Sequence, residues 1–302
     1  MSNRRDFIKH SGSFAFGSFL LARNTELFSA LANKSVHPIG IQLYTVTGLM
    51  DNDTRGTLEK IAAIGYRELE SASSRKGGYY GLKPKEFASL TKDLGLTWLS
   101  HHVSGAPFQP RAGSNPPANM PKMNTLKDGY QQLIDEAAEG GLQYLVCASI
   151  PLNNGEDIRN AVEILNKAGE ASKKSGITLA YHNHTHEFEN VDGQIPYDVL
   201  LSQVSSDILK MELDLAWATK AGADPVELFK KHPGRFPLWH AKDIDKVSKN
   251  PTVVGTGIVN FKRIFDKGKK AGMKHFFVEQ DGPPKPIDNI TDSFNYLNKM
   301  LK

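Results

Sequence analysis

The stretch YHNHTHEFEN, residues 181–190, holds three of the chain's ten histidines at alternate positions, His182, His184 and His186, with Glu187 directly behind them. Alternate residues of an extended segment project to one face, so His182 and His184 would look into the same space. Imidazole changes charge near neutral pH and ligates divalent metals through either ring nitrogen, so the segment is a candidate source of ligands or of acid–base groups. Similar polar side chains recur at the ends of other apolar runs. LKMELDLAW (209–217) carries Glu212 and Asp214, PLWHAKD (237–243) carries His240, Lys242 and Asp243, and HFFVEQD (275–281) carries Glu279 and Asp281. Earlier runs contribute Gln42, Glu70 and the pair His101 and His102. Two or three carboxylates with one or two imidazoles suit Mn2+, Zn2+, Co2+ or Fe2+, and not a calcium site built from oxygen alone. Groups this far apart in sequence meet only if the fold brings them together.

The elements that would do so can be read from the pattern. Eight short apolar or β-branched runs, at 39–45, 66–71, 96–103, 144–149, 178–184, 209–217, 237–243 and 275–281, alternate with segments of three- and four-residue apolar spacing. The predicted helices cover 54–65, 85–95, 130–141, 158–176, 197–204, 224–232 and 260–272, several ending at the glycine that a helix C-terminus favours. Eight strands interleaved with helices predict parallel pairing and closure into a (β/α)8 TIM barrel. The competing arrangement is an open doubly wound sheet, but no G-x-G-x-x-G follows the first strand. In a barrel the residues at the C-terminal strand ends line the site, and the polar groups named above lie there, with His186 and Glu187 on the loop beyond the fifth strand. Such groups rarely occupy half-buried strand ends without a partner or ligand. SGAPFQPRAGSNPPANMPKMN, residues 104–124, follows the third strand and is too long for an ordinary βα loop. It is expected to form a lid or wall over the site, or else a disordered surface insertion.

Residues 1–32 read as an export signal rather than as part of the fold. Arg4 and Arg5 precede an apolar run from Phe14 to Ala22 and the small-residue sequence Ala30-Leu31-Ala32, the order of a secretory signal. The arginine pair with DFIK behind it resembles a twin-arginine signal and predicts a periplasmic location. The apolar run is too short and too rich in Gly and Ser to span a bilayer, so no stable membrane insertion is expected after cleavage. Residues 33–302 would then form one catalytic domain. Removing four basic and two acidic residues takes the net charge from +4 to +2, too near neutral to make nucleic acid the main partner. The single cysteine, Cys147, excludes an intrachain disulfide, so the core must carry the stability. A homo-oligomer is compatible with the sequence, but nothing in it specifies one.

YHNHTHEFE, LDLAW, WHAKD, VVGTGIVNF and FVEQD, in this order over nearly all of residues 33–302, resemble the sugar phosphate isomerase/epimerase family with the xylose isomerase-like TIM barrel. That family includes ketose epimerases, inosose dehydratases, hydroxypyruvate isomerases and lyases acting on oxidised glycosides. The resemblance implies a metal held by Asp214 on the sixth strand, His240 on the seventh and Glu279 on the eighth. On the fifth strand His182 stands where the family usually carries a glutamate. This removes one of the two carboxylates that work on opposite faces of the sugar, unless Glu187 reaches in from the loop.

A metal on a sugar's carbonyl and adjacent hydroxyl acidifies the neighbouring C–H. Glu279, Glu187 or a histidine such as His184 would then take the proton to give an enediolate. Returning the proton isomerises or epimerises, whereas expelling a β-substituent eliminates. Lys242 either neutralises an oxyanion or pairs with Asp243. Gln42, Glu70, His102 and Trp217 are candidates for substrate contact, with Trp217 reading equally as core. His186 reads as a surface residue, and Gly255 and Gly257 as a turn before a helix. The expectation is a metal-dependent isomerase/epimerase acting on an unphosphorylated sugar, because sugar phosphates are cytoplasmic metabolites. A lyase or dehydratase acting on a keto-sugar or 3-keto-glycoside is the rival. A non-catalytic sugar-binding barrel is a third reading, against which the ligand set counts.

Overall fold

In the computed structural model, which describes residues 37–107 and 123–302, eight parallel strands close into a barrel. They are β1 (Gly40–Gln42), β2 (Glu68–Ser71), β3 (Thr97–Ser104), β4 (Tyr144–Ser149), β5 (Thr178–His182), β6 (Lys210–Asp214), β7 (Leu238–Ala241) and β10 (His275–Val278). β1 pairs with both β2 and β10, so the ring has no edge and the open doubly wound sheet is excluded. Two short strands, β8 (Asp243–Ile244) and β9 (Pro251–Thr252), form a separate antiparallel pair after β7. Pro38–Met300 make one compact unit. Among the described residues no helix is long and apolar enough to cross a membrane. The export signal and most of the 104–124 insertion lie outside the described residues.

The helices start where side chains satisfy their free N–H groups. Asp53, Thr125, Asn154 and Asp224 each accept a backbone N–H in the first turn of the helices Thr54–Ile64, Leu126–Gly140, Gly155–Lys174 and Pro225–Lys231. Gly141 and Gly272 end helices in the left-handed region, at φ 73° and 79°, as glycine allows. Several elements differ from the sequence pattern, among them the run 39–45, which is strand only over Gly40–Gln42 and then turns as a 3-10 helix, Leu43–Val46. The segment 260–272 is two short helices, Phe261–Phe265 and Gly268–Ala271, interrupted at Lys267 with φ −106° and ψ 7°. The run 209–217 stops being strand at Asp214, whose carboxylate accepts the N–H of Trp217 at 2.8 Å and opens the helix Leu215–Lys220. The helix Pro286–Met300, which has no counterpart in the sequence pattern, packs on the barrel's outside, where Tyr66 donates its hydroxyl to the Ile290 carbonyl at 2.8 Å and stacks edge-on with Phe294.

Strand alternation sorts the residues. Trp239 points outward and stacks on Phe229 at 5.0 Å. Leu99, Tyr144, Val146, Ala180, Leu238 and Phe277 make a buried apolar cluster. His182, His240 and Glu279 follow Ala180, Leu238 and Phe277 by two residues. They therefore take the same inward face, one step nearer the C-terminal mouth.

Candidate active site

A floor of two carboxylates lies on the cluster. Glu70 from β2 and Glu212 from β6 are both wholly buried. Glu70 Oε1 accepts Gln42 Nε2 at 2.8 Å and lies 2.7 Å from His240 Nε2 and 3.0 Å from His102 Nε2. Its other oxygen accepts the Ser100 hydroxyl. Glu212 Oε2 lies 2.7 Å from His102 Nε2, 3.2 Å from His240 Nε2 and 3.3 Å from His182 Nδ1. Three imidazoles are thus aimed from below, with His102 and His240 nearly parallel at 5.3 Å and His182 4.5 Å from His240.

A β-bulge decides which of the paired histidines joins them. Leu69 pairs with Trp98 but Glu70 pairs with Ser100, leaving Leu99 as an extra residue. Beyond it the alternation is reversed. Ser100 and His102 face inward, while His101 turns outward to Ser71 Oγ at 2.8 Å and the ring of Tyr79 at 4.8 Å.

Above the floor the charges alternate. His240 Nδ1 lies 2.7 Å from Glu279 Oε2. The buried ammonium of Lys242 is 2.8 Å from Glu279 Oε2, 3.2 Å from Asp214 Oδ2 and 2.7 Å from Asp281 Oδ2, and 4.8 Å from the centre of the Trp217 ring. Lys242 therefore pairs with these three carboxylates and not with Asp243. Asp243 accepts four backbone N–H groups, from Ile244, Gly255, Gly257 and Val259 at 2.9–3.0 Å. This makes the glycine pair a turn clamped to Asp243, as its sequence suggests.

Protonation follows from these neighbours. Burial alone would lower the His102 imidazole, but the charges of Glu70 and Glu212 hold it up to about 9. Burial opposes ionisation of Glu279 too, yet Lys242 and His240 keep its carboxyl well below the usual range. Lys242, despite burial, is held above its ordinary value by Asp214, Glu279 and Asp281. His182 is pushed well below its ordinary value by burial and then by the positive charge of His240, so its ring is neutral. Burial raises Asp214, and burial with the charge of Glu70 raises Glu212.

The ligand atoms of His182, Asp214, His240 and Glu279 all lie within 4.8 Å of one another. His182 Nδ1 and Asp214 Oδ2 are shut off from solvent without a hydrogen bond, although charged neighbours stand close. Buried polar atoms left in this way, in a set of two imidazoles and two carboxylates, fit a divalent transition metal. A second set, His102, His182, Glu212 and His240, meets the same spacing. There, however, Nε2 of both His102 and His240 is already held by Glu70 and Glu212, as carboxylates behind ligating histidines are.

The remaining candidates fall in two groups. Gln42 and Glu70, read from sequence as substrate contacts, belong to the floor and are fully buried. Trp217 stands beside Lys242, its indole N–H without a partner. His184 is 4.9 Å from His182, ring to ring. Glu187 is wholly buried, but its oxygens accept the Tyr181 hydroxyl and the His184 N–H, each at 2.9 Å. The roles of Ser100, Glu212 and Asp281 were not assigned from sequence. Glu212 carried a readable signal, since a residue two before Asp214 shares its face. Ser100 did not, because only the bulge turns it inward.

Residues 58–300 match the sequence profile of the xylose isomerase-like TIM barrel family. An inosose dehydratase from Clostridium perfringens is 28% identical over 150 residues, 49% of this chain and 47% of that protein, so the chain spans about half the length of the curated relatives it matches. The crystal structure of a sugar phosphate isomerase/epimerase from Parabacteroides distasonis is 29% identical, with a TM-score of 0.74 over 89% of this chain and 97% of that one. The IolI protein, crystallised with a bound zinc atom, shares 14% identity and a TM-score of 0.64 over 87% of this chain, a likeness of fold alone. With eight parallel strands closed into a barrel and a profile match over most of its length, the chain belongs to the xylose isomerase-like TIM barrel family.

Proposed function

We propose that this barrel is a metal-dependent enzyme that removes a proton next to the carbonyl of an unphosphorylated sugar or sugar-derived ketone and then eliminates a β-substituent. The observation that carries the reading is the buried set His182, Asp214, His240 and Glu279, with the ammonium of Lys242 beside its two carboxylates. These four residues would hold the metal, which when bound supplies Lewis-acid polarisation of the carbonyl. Glu279, held as the free carboxylate by Lys242 and His240, is the group assigned to take the proton. Lys242 keeps a fixed positive charge where negative charge develops on oxygen, and Trp217 offers an apolar face beside it.

Elimination is favoured over two-base epimerisation by the fate of the strand-five carboxylate. His182 replaces it, and Glu187 is tied to Tyr181 and the His184 amide instead of standing across from Glu279. A single carboxylate can take the C–H proton and return it to the departing oxygen. The dehydratase named among the curated relatives supports the same outcome. The unphosphorylated substrate rests on the proposed export to the periplasm, which cell fractionation tests.

The deciding experiment loads the protein with Mn2+, Co2+ or Zn2+ and offers keto-inositols, free ketoses and 3-keto-glycosides in deuterated water, followed by NMR. The expected result is exchange of the α-proton together with release of the β-substituent, both abolished in Asp214→Ala. No exchange with any of these compounds overturns proton abstraction. An epimer formed without release overturns elimination. Turnover that is insensitive to chelators, with far less than one metal per chain, overturns metal dependence.

A further inference from the structure

Outside the barrel centre, His184, His186 and Glu187 bring three more ligand atoms within 4.8 Å of one another. The short 3-10 turn His186–Phe188 folds the chain back after β5 and sets them together. His186 Nε2 lies 3.3 Å and His184 Nδ1 3.9 Å from Glu187 Oε1. A tetrahedral ion with bonds of about 2.0–2.1 Å separates its ligand atoms by roughly 3.4 Å, so the two histidine–carboxylate distances bracket that spacing and the two imidazoles lie within 4.8 Å of each other.

Two further features point to a ligand. His184 Nδ1 is shut off from solvent and makes no hydrogen bond, although 38% of its side chain is exposed. Glu187 is fixed in place by hydrogen bonds, its Oε1 accepting the Tyr181 hydroxyl and its Oε2 the His184 N–H, the support that metal-ligating carboxylates characteristically have. The His184 and His186 rings lie 5.9 Å apart at 21° to each other.

We infer that His184, His186 and Glu187 form a second site for a divalent transition metal, at the rim of the barrel and separate from the central set. Two imidazoles and one carboxylate suit Zn2+, Co2+, Ni2+ or Fe2+ over Mg2+ or Ca2+. Three protein ligands leave coordination positions open for water or for a hydroxyl or carboxylate of a bound molecule. His184 stands 4.9 Å from His182 and 6.5 Å from Trp217, ring to ring, so such a molecule would lie beside the mouth of the central site. The rim site does not depend on the centre holding metal.

The test titrates the chelator-stripped full chain with Co2+, reading visible absorption and bound metal by equilibrium dialysis, with circular dichroism to confirm that each variant is folded. Wild type is expected to take two equivalents. His186→Ala and His186→Gln should each lose one of them, and Asp214→Ala should lose the other. An equivalent that survives both His186 variants alongside the central one, or no uptake at all by folded Asp214→Ala, overturns the rim site. A single equivalent in wild type that is lost in the His186 variants but kept in Asp214→Ala supports the rim site and overturns the metal reading of the centre.

Discussion

An imidazole at position 182 sets the charge of the barrel centre as well as one of the proposed ligands. With His182 neutral, the set it shares with Asp214, His240 and Glu279 has two carboxylates, and its Nδ1 lies 3.3 Å from Glu212 Oε2. His182→Glu would place a carboxylate against that oxygen, where burial leaves the repulsion weakly screened. The metal-free variant should lose about 3 kcal/mol or more in urea denaturation, and added Mn2+ should restore most of it. Unchanged stability would mean that the new side chain turns away from Glu212. His102 supplies a pH test. Its folded value of about 9 lies above the ordinary 6.5, so the stability it adds is fully present below about pH 6.5 and is lost as pH rises through 9. The His102 contribution that metal-free protein should lose across that interval is up to about 3 kcal/mol, and His102→Gln should make the curve shallower by that share, the raised imidazole of His240 supplying the rest. A wild-type stability that is level from pH 6 to 9.5 contradicts the assignment.

Two local devices build the site at the scale of elements. The β2–β3 bulge selects His102 over His101, and the Asp243 carboxylate gathers the loop that follows Lys242. Four backbone N–H groups converge on Asp243, and removing the carboxylate leaves those of Ile244 and Val259 without a partner in a buried setting, while Gly255 is exposed. Asp243→Ala should cost about 2–4 kcal/mol, seen as a lower thermal midpoint, and should weaken metal uptake through the adjoining Lys242. A variant as stable as wild type would show that the turn holds without the clamp. Alternation and helix spacing made the strands and most helices readable. The apolar run through Leu215 and Ala216 hid the change at Asp214, because a buried strand and a buried first helical turn look alike in hydropathy.

Across the whole molecule, the apolar cluster is the surface on which the polar floor rests. Leu238 is fully buried in that cluster and is the register partner of Glu212. Leu238→Ala should cost about 2–5 kcal/mol, measured by urea denaturation, and should lower turnover more than substrate affinity, because the floor aims His182, His240 and His102. A loss below about 1 kcal/mol would indicate that the neighbours collapse into the space. The curvature of the closed ring carries the same logic further, since His182, Asp214, His240 and Glu279 sit at the C-terminal ends of the neighbouring strands β5, β6, β7 and β10, and bending that sheet into a barrel brings their polar atoms within 4.8 Å of one another.

The sequence alone determined the eight-strand alternation and the polar residues at the C-terminal ends of the last four strands. These rest on periodicity and residue chemistry, which are local and survive without coordinates. Only the tertiary structure decided that His102 faces the centre, that Lys242 pairs with Asp214, Glu279 and Asp281, and that Glu187 turns to Tyr181 and the His184 amide. Each of those choices depends on a bulge, a cap or a turn that shifts a side chain by one position. A one-residue shift reverses the face a strand residue presents, and no pattern of hydropathy records it.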